Sequence, residues 1–490
     1  MTLPNPPFVK GLPLIGNIHQ FLSDPVALVR RGYQQYGRLF AIRLGNKPVA
    51  VMLGPEFNRF FFEQTDKLLS IREAYPFLPS MFDPNLYFLG PLDEYKAQRT
   101  VLLPAFQGPR MNGYLTAMVK EALDFTDTLG QEGEFDVVRT LGPLVMNVAA
   151  RAFLGDQFRT RFGGQFYDLF RDFSGGIDLV LPGWLPLPKF RRSKRARATM
   201  HEMVTALISE RRSAVNRPDD FLQVLIDARY PDGKPLPDNI IINLILLLVW
   251  AGHETTAGHI SWGLLQMLQH PEYLSTVVAE QDAVLGADPN LTMDKVRKLK
   301  RIEWALKESE RTQPVASALL RAVKEPFDLG GYHIPAGWMT SASPAVTHSL
   351  PDLFRDPERW DPERFAAGRA EDKQAYSLIG FGGGTHRCLG LSFAYLEMKV
   401  VLTILLQRYE LELLDRDILP VSGTQTKWPK SPARVRYRRR TALPRGGGSS
   451  EHAVQREAPP GSSHGPSACP VQEEAPASPE AKRECPFHSK

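Results

Sequence analysis

Between Phe381 and Gly390 the chain reads Phe-Gly-Gly-Gly-Thr-His-Arg-Cys-Leu-Gly, and this run constrains the fold more than any other segment. Backbone so poor in Cβ atoms can lie flat against a large planar ligand. A helical pattern follows from Leu389 to Gln407, so Cys388 arrives at a helix N-terminus. Amide groups there stabilise a thiolate and tune its donation to a metal. For an arbitrary glycine-rich loop the plainer alternative is a buried structural cysteine beside a tight turn. Cys388, Cys469 and Cys485 are the only cysteines. Three are too few for a disulfide framework, which fits a reducing compartment.

The 490 residues are 43% hydrophobic and 23% charged, enough for one large enzyme-sized unit. A net charge of +5, from 59 basic and 54 acidic residues, gives no footprint for nucleic acid. Met1 to Gly16 lacks the basic and apolar regions of a signal peptide. The apolar run Ile240 to Trp250 is too short to span a bilayer. A cytoplasmic protein with no integral membrane anchor is therefore expected.

Leu39 to Leu53 alternates around Gly45-Asn46-Lys47 and predicts a β-hairpin. From Thr116 to Gln313 the period is mostly helical, with Met200 to Arg212 and Ile240 to Leu268 the clearest stretches. Short strands are expected from Phe327 to Ile334, then a proline-rich meander from Pro351 to Phe365. Arg434 to Arg440, alternating with Val435 and Tyr437, predicts a final exposed strand. Lys189 to Arg197 is read as a solvated helix start, with contact to a membrane surface as the alternative. The globular domain is expected over 1–440. The tail 441–490 is rich in Gly, Ser, Pro, Glu and Ala and predicts disorder, so Cys469-Pro470 and Cys485-Pro486 belong to a flexible extension.

Three further clusters bear on chemistry. Ala251-Gly252-His253-Glu254-Thr255-Thr256 follows an apolar helical run and offers an acid beside an alcohol. Read alone, it is a helix interior whose threonine bonds back to a carbonyl. Glu308-Ser309-Glu310-Arg311, on a helix starting near Asp294, puts Glu308 and Arg311 on one face. Read alone, that is a solvated ion pair. Trp360-Asp361-Pro362-Glu363-Arg364-Phe365 contributes another arginine.

Phe381-x-x-Gly384-x-His386-x-Cys388-x-Gly390 is similar, at every defined position, to the heme-binding signature of the cytochrome P-450 family. The other clusters occur in that family's order, so the resemblance covers roughly residues 5 to 440. It implies a mainly α fold with a smaller β region, a single domain enclosing heme b. Cys388 would be the axial thiolate, a ligand that favours O–O cleavage. Phe381, Gly382, Gly390 and Ala251 would lie against the cofactor. Arg99, Arg321 and His386 would meet the propionates, since buried carboxylates need cationic or hydrogen-bonding partners. Tyr95 stands four residues before Arg99, where the family commonly has Trp or His. Glu254 and Thr255 would be the catalytic pair, the hydroxyl bonding dioxygen and the carboxylate relaying protons. Glu308, Arg311 and Arg364 would form a structural salt-bridge triad.

By the same resemblance Tyr75, Phe77, Leu78, Met81, Phe82, Val315 and Ala316 would bind a lipophilic substrate, a terpenoid, steroid, fatty acid or polyketide-like molecule. Val249 is read as core. Ala74-Tyr75-Pro76-Phe77 through Phe82, Ala251-Gly252-His253 and Ser343-Pro344-Ala345-Val346 also resemble bacterial sterol 14-alpha-demethylases. Those enzymes commonly carry histidine at the position of Glu254, and Asp83 to Gly90 departs from their pattern. Sterol demethylation is therefore the alternative to ordinary hydroxylation or epoxidation. A peroxide-driven heme-thiolate enzyme and a non-catalytic heme sensor are readings of other kinds. The tail leaves no room for a flavin or nicotinamide domain, which implies an external ferredoxin and its reductase, or flavodoxin, serving a monomer. Arg387 is a candidate for the docking surface.

Overall fold

Leu44 pairs with Lys47, so Gly45 and Asn46 alone turn the chain between β1 (Leu39–Leu44) and β2 (Lys47–Met52). Gly45 sits at φ +62°, a left-handed geometry that glycine enters without a Cβ penalty. The hairpin is one side of a mixed sheet with β3 (Leu69–Ser70), β5 (Leu319–Val323) and β8 (Met339–Ala342), in the order β1-β2-β8-β5-β3. β5 buries its last three residues and so carries Arg321 inward. Gly330 and Gly331, both at positive φ, turn β6 (Phe327–Leu329) into β7 (Tyr332–Ile334), as expected. This computed structural model describes residues 3–178, 181, 183–286, 288, 290–422 and 426–440. The expectations for 441–490, including Cys469 and Cys485, lie outside the described residues.

A second sheet joins β4 (Glu132–Asp136), β9 (Tyr409–Leu413) and β10 (Arg434–Arg439) in the order β4-β10-β9. The expected exposed terminal strand is thus corrected: β10 is central. Val435 and Tyr437 are buried on one face, while Arg436 points out to Glu134 and Glu412 at 3.1 Å each. Alternation reports the two faces of a strand and not its neighbours.

The helices that place the site are α1 (Leu78–Met81), α2 (Leu92–Leu102), α3 (Val137–Leu154), α4 (Asp156–Ser174), α5 (Pro188–Ser213), α6 (Asp238–Gln269), α7 (Met293–Lys298), α8 (Lys300–Thr312) and α9 (Leu391–Arg408). The first half of α6 is apolar on every face, so it lacks a solvent stripe and lies inside the helical body, sharing a core with α3 and α9. The single helix expected from near Asp294 is two. Leu299 leaves helical geometry at ψ 86° and is buried, separating α7 from α8. Thr292 caps α7 by accepting from the Lys295 amide at 3.3 Å. Pro314 ends α8, pushing Gln313 out of the helical region.

The charge-free run 240–250 is only part of a 32-residue helix. By length and composition α3, α6 and the stretch Gly384–Arg408 are each apolar enough to cross a membrane. Of the most apolar 18-residue stretch in each, 72% is buried within this fold for α3 and 67% for the other two.

Candidate active site

Local packing explains much of the glycine density before Cys388. A Cβ on Gly383 would sit 2.7 Å from the Phe62 ring, and one on Gly384 would meet Phe62 at 3.2 Å. These glycines admit Phe62 beneath the loop, a use that the sequence does not reveal. The Cys388 amide donates to Phe381 O at 2.9 Å, which folds the loop back and turns the sulfur into a cavity of about 530 Å³. Burial pushes the Cys388 thiol up, and a hydrogen bond from the Gly390 amide pulls against it. Phe381 and Gly390 also line this slot, whereas Gly382 lines a separate cleft on the other side of the loop.

The facing wall belongs to α6. Ala251, Gly252, Thr255 and Thr256 line the slot, and added Cβ atoms on Gly252 or Gly390 would meet nothing within 4 Å. Thr255 Oγ donates to Ala251 O at 2.7 Å, the back-bond anticipated for a plain helix interior. The same hydroxyl lies on the slot and keeps its lone pairs as acceptors. Glu254 is one residue along and points elsewhere. Burial raises its carboxyl pKa against a hydrogen bond with Ser174 at the end of α4. His253 is core, its Nε2 3.0 Å from Gly142 O. The Trp428 indole donates to Glu254 O at 2.8 Å, and no sequence signal announces it.

At one end of the slot lie basic groups. Arg321 is buried, 4.8 Å above the Phe61 ring, and donates to Thr65 Oγ at 3.1 Å and Leu320 O at 2.8 Å. Arg99 donates to Tyr87 Oη at 3.1 Å and reaches the slot through Tyr87 and Tyr95, which line it. Among the described residues no carboxylate pairs with either guanidinium, and burial depresses the Arg321 pKa. His386 differs. Its Nε2 lies 2.5 Å from Asp66 Oδ2, and its ring stacks on Tyr95 with centroids 4.4 Å apart. Tyr87 and Asp66 were not singled out from the sequence, since neither sits in a motif.

Tyr75, Phe77, Leu78, Val315 and Ala316 line the slot, and Tyr75 Oη accepts from the Leu320 amide at 3.1 Å. Met81 and Phe82 are not brought to it. Phe82 is buried between Phe173 and Trp250, and Met81 faces a different cavity. Val249 is core, as read.

Glu308, Arg311 and Arg364 meet in full burial on the α8 side. Arg311 makes two bonds of 2.8 Å to the Glu308 carboxylate, and Arg364 Nε bonds it at 3.0 and 3.1 Å. A fourth member, Glu371, takes Arg364 Nη1 at 2.7 Å. The ion-pair charges then balance, and backbone carbonyls of His348, Arg355 and Arg359 accept further donors.

A cysteine opposite a helix groove, open space at two facing glycines and two acid-free arginines at one end form a cradle that fits heme with its two carboxylates. The family description "Cytochrome P-450" matches residues 6–436. The chain is 32% identical over 447 residues to a sterol 14-demethylase of Arabidopsis thaliana, covering 89% of this chain and 91% of that one. To the sterol 14alpha-demethylase of Mycolicibacterium vanbaalenii it is 31% identical over 442 residues, with 87% and 96% covered. Among solved structures, the retinoic acid-bound cyanobacterial CYP120A1 superposes with a TM-score of 0.80 at 30% identity, over 90% of this chain and all of that one.

Proposed function

The chain belongs to the cytochrome P-450 family and is a heme-thiolate monooxygenase, and on that premise we propose that residues 1–440 are its catalytic unit, that Cys388 supplies the thiolate, and that an elongated lipophilic molecule of the terpenoid or steroid class is its substrate. The observation that carries this reading is the apolar slot with Cys388 on one wall and Thr255 on the other. When bound there, heme supplies dioxygen activation at its iron.

Each residue has a task around that chemistry. Cys388 holds the iron, with the Gly390 amide drawing charge from its sulfur. Arg321, and Arg99 with Tyr87 and Tyr95, bind the propionates, while His386 is held by Asp66 as a lateral support. Thr255 accepts or delivers a proton at its Oγ. Glu254, its pKa raised and its partner Ser174 near the surface, brings that proton from solvent. Tyr75, Phe77, Leu78, Val315 and Ala316 exclude water and hold the substrate by desolvation.

Sterol 14-demethylation is the second reading, favoured by the names of the two relatives and by the Tyr75 to Phe82 segment, and opposed by Glu254. We further propose a cytoplasmic monomer supplied by ferredoxin and its reductase, or flavodoxin. The cleft of about 1100 Å³ lined by Arg297, Lys300, Lys307 and Arg387, on the Cys388 loop's outer side, is the docking face. The test is the absorption spectrum of the reduced, carbon monoxide-treated protein, repeated while titrating sterols, terpenes and fatty acids. A far-red-shifted Soret band is expected, and the compound class that displaces iron-bound water identifies the substrate class. A histidine-type band removes Cys388 from its role. Thr255→Ala is expected to keep heme and waste reductant; an unchanged product yield would remove the proton relay.

A further inference from the structure

Met81 and Phe82, expected at the substrate, belong to a partition. Leu78 at the start of α1 and Trp250 on α6 line the heme slot, whereas Met81 at the end of α1 and Phe173 on α4 line a second cavity of about 490 Å³. Phe82 fills the wall between them, 5.9 Å from Phe173 and 5.8 Å from Trp250 by ring centroids. The second cavity, partly open to solvent, is bordered by the first half of α5, where Phe190 adds to the apolar floor and Arg197 lines the wall.

Arg197 is the anomaly. Its Nε is buried, and among the described residues its guanidinium makes no hydrogen bond and no ion pair. Arg197 as a whole is half-buried, but its Nε donor is shut off from water with no acceptor, and a buried donor left unpaired is costly. Burial depresses its pKa, opposed by the charge of Asp83. That acid is engaged elsewhere, by the Asn239 amide at 2.5 Å and the Asn85 backbone at 2.8 Å. Lys194 and His201 stand on the same rim, with the exposed Glu202 as the one acid there. An apolar floor, a basic rim and a fork with no acceptor describe the complement of one kind of molecule.

We propose that this cavity is a second ligand site, separate from the heme slot, that takes a lipophilic monocarboxylate with its head group on Arg197 and its chain over Met81, Phe173 and Phe190. Bidentate pairing suits a planar carboxylate, and the apolar floor contributes by area removed from water. Phe82, packed between Phe173 and Trp250, separates the two chambers, so an occupant here does not touch heme.

The experiment counts dodecanoate bound to the heme-loaded protein by equilibrium dialysis while its absorption spectrum follows the slot, with dodecanol as the uncharged control. One equivalent of dodecanoate that leaves the spectrum unchanged is expected. Arg197→Leu should weaken that silent equivalent at least tenfold and leave the spectral titration as it was. Ala198→Trp, at an exposed helical position lining the cavity, should remove the silent equivalent by filling the space, which keeps the test alive should Arg197→Leu lose heme. Dodecanoate seen only through the spectrum, or a silent equivalent indifferent to both substitutions, overturns the proposal. So does dodecanol binding as tightly as dodecanoate. The count is independent of turnover, so failure of the monooxygenase substrate assignment would not imitate any of these results.

Discussion

The triad around Glu308 and the arginines at the end of the heme slot are both buried charge, yet they are finished to different degrees. Glu308, Arg311, Arg364 and Glu371 balance one another and spend their donors on carboxylates and backbone carbonyls. Arg321 has a hydroxyl, a carbonyl and an aromatic face, and among the described residues no carboxylate pairs with it, Asp66 acting only from a distance. A satisfied network supports the fold, whereas a buried cation without an anion is a site waiting for one. Removing a member of each should therefore act on different states of the protein.

The largest effect is expected from Glu308→Gln, which leaves the buried Arg311 guanidinium with no carboxylate and Arg364 with Glu371 alone, at a cost of about 3–5 kcal/mol. Guanidinium unfolding of heme-free and heme-loaded protein should show the loss in both; a change under ~1 kcal/mol would make the triad ornamental. Arg321→Leu should divide the two states. Heme loss to a scavenger protein should quicken by about tenfold or more, as expected for losing a charge-assisted bond. The heme-free protein should become no less stable, because an unpaired buried cation has gone. Equal destabilisation of both forms would mean that Arg321 belongs with the triad after all.

A third case lies between these. Glu310, next to Arg311, is buried and accepts from Tyr395 Oη at 2.8 Å, and burial pushes its carboxyl up to about 7 from 4.5. The folded protein then keeps a proton that the unfolded chain releases, so its contribution is intact below pH 4.5 and is lost as pH rises through 7. Glu310→Gln should flatten that fall by up to ~1.4 kcal/mol per pH unit, the value for one proton. Urea midpoints at pH 5, 6, 7 and 8 would read it, and parallel curves for the two proteins would assign the charge state differently. The smallest effect belongs to Arg436→Ala on β10. Its two carboxylate partners are exposed, and a stability change within about 0.5 kcal/mol is expected from thermal melts. A loss of several kcal/mol there would break the rule that burial, and not pairing alone, gives an ion pair its weight.

What is legible in the chain is what is local. Gly45-Asn46 and Gly330-Gly331 dictate their hairpins within a few residues, and three-residue spacing places Glu308 and Arg311 on one face. The Cys388 loop carries its own signature. Partners brought from afar leave no such mark: Asp66 meets His386 across 320 positions, and Glu371 completes Arg364 without any motif. Tyr87 under Arg99 is likewise silent. Apolar character shows that Met81 and Phe82 are inside, but cannot say which chamber they serve. Alternating arginines on β10 report one wet face, which a central strand of a surface sheet also has.

That central position has a consequence for the nascent chain. Val137, at the entrance to α3, bonds the carbonyl of Ala433, and β4 finds its hydrogen-bonding neighbour only in residues 434–439. The indole that pins the α6 carbonyl, Trp428, emerges from the ribosome just before them. β4 must therefore wait, with its edge open, through the synthesis of nearly all the rest of the domain, and an open strand edge is a template for another chain. The time a ribosome takes to reach residue 439 is thus a quantity that this fold must survive.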